Sequence, residues 1–143
     1  MGSSMGGYLA ALYAARHMEI PRVVLLAPAF RFVPRWQERM GVEAIEAWQR
    51  DGALDVFHYG EGRNRALGYQ LLEDAAQYED FPEVKQPCLI FHGAHDDVVP
   101  VSYSEQFAAT RPNVELHVLN SGHELTDVMD EMGAHVEAFL KAG

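Results

Sequence analysis

The chain has 143 residues, 48% of them hydrophobic and 22% charged, the balance of one soluble globular domain with a core of its own. Its 21 acidic residues outnumber 11 basic ones, for a net charge of −10. That balance argues against nucleic acid and against an anionic membrane surface, both of which recruit lysine and arginine. No apolar run is long enough for a membrane span, and a single cysteine, Cys88, excludes an internal disulfide and points to a reducing, cytoplasmic setting.

The first element begins almost at once. Gly2-Ser3-Ser4-Met5-Gly6-Gly7 fits a G-x-S-x-G nucleophile elbow at Gly2, Ser4 and Gly6. In that element a strand ends, the chain turns sharply, and a helix begins with the serine held at the bend. Both outer glycines are expected to be steric requirements, because side chains there would meet the adjoining strand and helix. The motif starts at residue 2, which leaves no room for the strand that should precede it, so an N-terminally shortened fold is expected. Two other readings of this end fail. Myristoylation needs Ser or Thr where Gly6 stands. An expression-tag leader would run into histidines rather than into a helix.

Residues 5–17 predict that helix, with Ala10, Ala11, Ala14 and Ala15 as strong formers small enough to pack closely on a sheet. Beyond Pro21, residues 23–26 read as a buried parallel strand, short, apolar and without alternation, and 27–30 as a loop. Residues 31–82 change character and read as a small cap inserted at one end of the sheet. They predict a helix over 43–50, a strand over 55–59, a turn at Gly60 and Gly62, and a helix over 66–78. Trp36, Trp48, Phe57, Tyr59 and Tyr69 fall here; they either line a substrate pocket or form the insertion's own core. The rhythm then returns, with a strand over 88–91, a helix over 101–110 after Pro100, a strand over 114–119 and a helix over 124–141. Strands alternating with helices imply an α/β fold, one domain over 1–143, with a parallel sheet flanked by helices. The strand at 23–26 is expected to lack its neighbour, leaving an exposed sheet edge through which copies of the chain could associate.

A serine hydroxyl is a poor nucleophile until a base takes its proton, and the base needs an acceptor to orient it. The chain offers the set in the order Ser4, Asp96, His123. Asp96 and His123 each lie just past an apolar strand, where open α/β sheets place their sites. His123, on a glycine-preceded loop, is the favoured base. His17 at a helix end, His58 and His117 in strands, and His135 on the last helix read as structural or exposed. His92 is placed against the loop that carries Asp96. Cys88 reads as a buried strand thiol rather than a nucleophile. A metal reading of His92, His95, Asp96 and Asp97 stands open, but the spacing fits no ligand signature. For the oxyanion, one donor is the backbone N–H of Met5, aided by the helix N-terminus. The second normally comes from a loop after an earlier strand, which this sequence does not contain.

His92-Gly93-Ala94-His95-Asp96-Asp97-Val98-Val99-Pro100 resembles the H-G-x-x-D-x-x-V-P segment common in α/β-hydrolases. That pattern selects Asp96 over Asp97, leaving Asp97 to cap or solvate the loop. Together with Gly2 through Ala10, Val23 through Ala29, and Ser121-Gly122-His123-Glu124-Leu125, the chain resembles the YqiA/YcfP-type bacterial α/β-hydrolases, small esterase-like proteins. The resemblance implies a partial α/β-hydrolase fold lacking its opening strands and H-G loop, with a triad of Ser4, Asp96 and His123. It implies a small-molecule ester substrate and no cofactor. The expected function is a serine hydrolase cleaving a carboxylic ester through an acyl-serine. Two alternatives remain: a catalytically silent fragment that keeps the triad as a relic, or a thioesterase or amidase using the same residues.

Overall fold

Val23 to Leu26 is apolar at every position and has no face to offer water, which suits a strand inside a layered sheet. In the computed structural model, which describes residues 1–58 and 60–142, it takes that place. The elements in chain order are β1 (Gly2–Ser3), α1 (Met5–Arg16), β2 (Val23–Leu26), α2 (Phe32–Met40), α3 (Val42–Asp51), β3 (Ala53–His58), β4 (Arg63–Gly68), α4 (Gln70–Ala75), β5 (Cys88–Gly93), α5 (Val101–Ala109), β6 (Val114–Leu119), a 3-10 turn (Thr126–Val128) and α6 (Met129–Lys141). The chain divides into two compact units, Met1–Arg31 with Phe81–Gly143, and Phe32–Asp80.

The first unit is a parallel sheet in the order β1-β2-β5-β6. All six residues of β5 are buried. Their alternation serves both faces. Leu89 and Phe91 join Val24, Ala27, Leu119, Leu125 and Met132 in a core completed by Val128, Val136 and Phe139 of the C-terminal segment. His92 points the other way, to Ser104 of α5. Helices therefore flank both faces, as expected. The sequence left no room for a strand before the elbow, yet Gly2 and Ser3 form one. They pair with Leu25 and Leu26, so the far half of β2 has a neighbour on that side.

The closing helix begins later than residue 124. Leu125 sits at φ 58, a left-handed conformation that no α-helix can pass through, so a 3-10 turn intervenes before Met129. Among the described residues, no helix is long and apolar enough to cross a membrane.

The second unit departs further from expectation. The sequence reading missed α2, whose Pro34 falls in the first turn, where proline is tolerated. It also placed a helix over 66–78, whereas β4 occupies Arg63–Gly68 and only Gln70–Ala75 is helical. The β4 residues carry no β-branched or aromatic side chain, and Ala66-Leu67 favours helix locally. Cross-strand pairing decides instead: β3 and β4 form an antiparallel hairpin from Ala53↔Gly68 to His58↔Arg63. The Trp48 indole N–H donates to the Leu67 carbonyl at 2.8 Å. Of the two roles open to the aromatics, most form this unit's own core. Trp48 is buried, with Trp36 at 5.4 Å and Tyr69 edge-on at 5.6 Å, and Phe32 adjoins Trp36. Phe57 is exposed. Tyr59, also expected in this group and at the end of a strand, lies outside the described residues.

Candidate active site

Ser4 stands between β1 and α1 at φ 53 and ψ −121, a conformation that costs a non-glycine residue on the order of 1–3 kcal/mol. Its backbone is pinned there. The Ser4 N–H donates to Leu26 O at 2.8 Å, and Ser4 O accepts from the N–H groups of Tyr8 (3.1 Å) and Ala29 (2.9 Å). Serine at a helix N-cap ordinarily turns its hydroxyl onto the first helical N–H groups. Here it makes no such bond and lies 2.9 Å from His123 Nε2.

The glycines around the turn are not equivalent. A Cβ on Gly2 would lie 2.2 Å from the Gly6 carbonyl oxygen, so Gly2 is obligatory. Gly6, expected to be equally constrained, would place its Cβ in open space. The crowded helical position is Gly7, whose Cβ would come within 3.1 Å of Pro28 Cα. The pattern G-x-S-x-G thus names one steric requirement correctly and misses its neighbour.

His123 follows β6 on the loop Asn120 to Leu125. Its Nδ1 lies 2.8 Å from Asp96 Oδ2, so the three side chains proposed from the sequence meet in one chain of hydrogen bonds. Because the carboxylate can only accept, Nδ1–H donates to it, and Nε2 is free to accept from the Ser4 hydroxyl. The loop is tied by Ser121 Oγ donating to Asp127 and by the Ser121 carbonyl accepting from His95 N–H at 3.1 Å.

Asp96 sits at the start of the turn after β5, its carboxylate withdrawn from solvent. Oδ1 accepts from the Val98 and Val99 N–H groups, both at 2.8 Å, and Oδ2 faces His123 and His92. Burial pushes its pKa upward, but the hydrogen bonds from His123, His92 and the Val99 and Val98 amides outweigh it. They hold the carboxyl well below the ordinary aspartate range. It is therefore an anion able to stabilise an imidazolium. Asp97, next in the chain, is exposed.

The sequence placed His92 against this loop, but its full role was not legible there. His92 is completely buried. Its Nε2 lies 2.9 Å from Val99 O and 3.1 Å from Asp96 Oδ2, both acceptors, so this nitrogen carries the proton. Nδ1 then accepts from Ser104 Oγ at 2.8 Å. His92 thus supports Asp96 from behind, opposite His123. His95 turns away to Asn120 Oδ1 at 2.9 Å, so His92, His95, Asp96 and Asp97 do not gather as metal ligands.

The amide of Met5 begins α1, where a helix N–H has no acceptor within its own helix. Cys88 is buried, and that burial pushes its thiol up to about 12, so it stays protonated and inert.

A model of the uncharacterised protein family UPF0227 matches residues 1–141, and the chain belongs to that family. It is similar to a pimeloyl-(acyl-carrier protein) methyl ester esterase of Chromobacterium violaceum, 27% identical over 152 residues, covering 82% of this chain and 59% of that protein. Two solved structures share its fold. Mouse alpha/beta hydrolase domain-containing protein 10 has a TM-score of 0.79 at 20% identity, over 97% of this chain and 60% of that one. Est1E from Butyrivibrio proteoclasticus has a TM-score of 0.75 at 21% identity, over 97% and 58%. The fold is that of the α/β-hydrolases, and the chain spans about three-fifths of the length of these relatives.

Proposed function

We propose that the chain carries the catalytic residues of a serine hydrolase that cleaves carboxylic esters through an acyl-serine intermediate. The observation that carries this reading is the continuous contact from Ser4 Oγ to His123 Nε2, 2.9 Å, and from His123 Nδ1 to Asp96 Oδ2, 2.8 Å. As the Ser4 oxygen bonds to the ester carbonyl carbon, His123 Nε2 takes its proton. The buried Asp96 carboxylate stabilises the imidazolium that results. The negative charge that develops on the carbonyl oxygen is met by the Met5 N–H at the head of α1. His123 then returns the proton to the departing alkoxide, which leaves as an alcohol. Water, deprotonated by the same nitrogen, attacks the acyl-serine and releases the acid and free Ser4.

The likeness to a methyl ester esterase favours esters over amides. A panel of matched acyl esters, thioesters and amides ranks the three classes. The primary test is labelling with a fluorophosphonate probe, followed by peptide mapping. The adduct is expected on Ser4, absent in Ser4→Ala and strongly slowed in His123→Ala. A folded wild-type chain that takes up no label, or takes it up elsewhere, overturns the assignment and favours a silent relic.

A further inference from the structure

Alternation along β6 puts Glu115 and His117 on the same face of the sheet. α6 packs over that face and brings His135 to them. One donor atom from each of the three lies within 4.8 Å of the other two. Glu115 Oε1 is 2.5 Å from His117 Nε2, and the two imidazole rings are 4.1 Å apart between centroids. The rings are braced from beneath. His117 stacks on the buried Phe91 ring at 5.4 Å, and His135 lies against the same ring at 6.1 Å. None of the three donors is buried, so a small ion in solution can reach them.

We propose that Glu115, His117 and His135 form a binding site for a borderline divalent transition-metal ion such as zinc, separate from Ser4, Asp96 and His123. Two imidazoles and one carboxylate make a tripod that zinc accepts, with water completing a tetrahedron. Ligands around zinc stand about 3.3 Å apart when the bonds are near 2.0 Å. To share an ion the Glu115–His117 pair, 2.5 Å apart, must open by about 0.8 Å. No other pair needs to close by more than about 1.5 Å, and both movements are within reach of side-chain rotation at a surface. The donor set also selects the ion. Imidazole nitrogen suits zinc, nickel and copper, whereas magnesium and calcium prefer oxygen. The consequence reaches the candidate site, because His123 lies between His117 and His135 in the chain. An ion there ties the edge strand to the last helix and closes the segment that delivers His123.

The full chain is stripped with EDTA, dialysed, and titrated with zinc chloride at neutral pH by calorimetry and thermal unfolding. One zinc per chain is expected, with a rise in Tm of roughly 5 to 10 °C at a hundredfold excess over Kd. Magnesium chloride should produce no shift. Glu115→Gln and His135→Ala each change a side chain outside the core, so both should keep the wild-type circular dichroism spectrum and lose at least tenfold in zinc affinity. His95→Ala, an exposed imidazole elsewhere, should bind as wild type. Absence of zinc binding overturns the proposal, as does wild-type affinity in both Glu115→Gln and His135→Ala. So does binding abolished by His123→Ala alone, which would move the ion to the serine site.

Discussion

Gly93 closes β5, and the backbone that delivers His123 passes directly over it. A Cβ at Gly93 would lie 2.3 Å from the Gly122 carbonyl oxygen and 2.4 Å from that of Ser121. Ordinary contact begins at 3.4 Å, so the 121–122 backbone must retreat by about 1 Å to admit a methyl group. His123 is the next residue. The same retreat stretches its 2.9 Å contact with Ser4 to nearly 4 Å, beyond hydrogen-bonding range. Overpacking of this kind costs about 1–3 kcal/mol, and a misplacement of about 1 Å can cost a factor of about 10² in rate. Gly93→Ala is therefore expected to lower Tm and to slow fluorophosphonate labelling of Ser4 by about two orders of magnitude. Gly122→Ala is the control, because a Cβ there has no neighbour within 4 Å. It should stay within about 0.5 kcal/mol of wild type. Tm is read by calorimetry and labelling by stopped-time mass spectrometry. A Gly93→Ala protein with wild-type Tm and labelling rate would refute the argument, as would Gly122→Ala proving the more damaging of the two.

Asp96→Asn should cut hydrolysis by about 10⁴ because the imidazole loses the anion that orients it, while Asp97→Asn changes it little; steady-state ester kinetics rank them, and the reverse order moves the role to Asp97. Because Asp96 binds its proton more weakly folded than unfolded, its stabilisation is complete above the ordinary aspartate pKa of about 3.9 and drains away as the pH falls below it. Urea midpoints taken from neutral pH downward should fall more steeply for wild type than for Asp96→Asn, and parallel curves would contradict this. His92→Phe should destabilise by about 1–3 kcal/mol by leaving the buried Ser104 hydroxyl without its acceptor. Adding Ser104→Ala should restore part of that loss, and a thermal melt that shows no recovery would mean that packing at His92, not its hydrogen bonds, dominates.

Local pattern alone marked the strands at 23–26, 88–91 and 114–119, put Asp96 and His123 just beyond two of them, and singled out Ser4 by its flanking glycines. Val23 to Leu26 is uniformly apolar and short, so it reads as a strand whatever surrounds it. Ser4 was legible as a candidate from its glycine-flanked motif, and Asp96 past the strand from Cys88 and His123 past the strand to Leu119 because each stands where a strand of such a sheet ends. The pattern could not say which residues meet. Ser4 and His123 are separated by nearly the whole chain, and their contact exists only because β1, β2, β5 and β6 lie side by side in register. The same holds for Gly93: the H-G-x-x-D pattern marks it in sequence, but the reason it is obligatory, another loop crossing it, exists only in the fold. It holds for Gly6, whose place in the motif suggested crowding that the fold does not impose. The β4 strand was illegible for a related reason: Arg63 to Gly68 carries no strand preference of its own and is held extended by β3. Glu115, His117 and His135 converge only once α6 is laid across β6. Periodicity reports which side chains leave water, and that is a property of each segment alone; partners are chosen by the packing of segments distant in the chain, which only the tertiary structure decides.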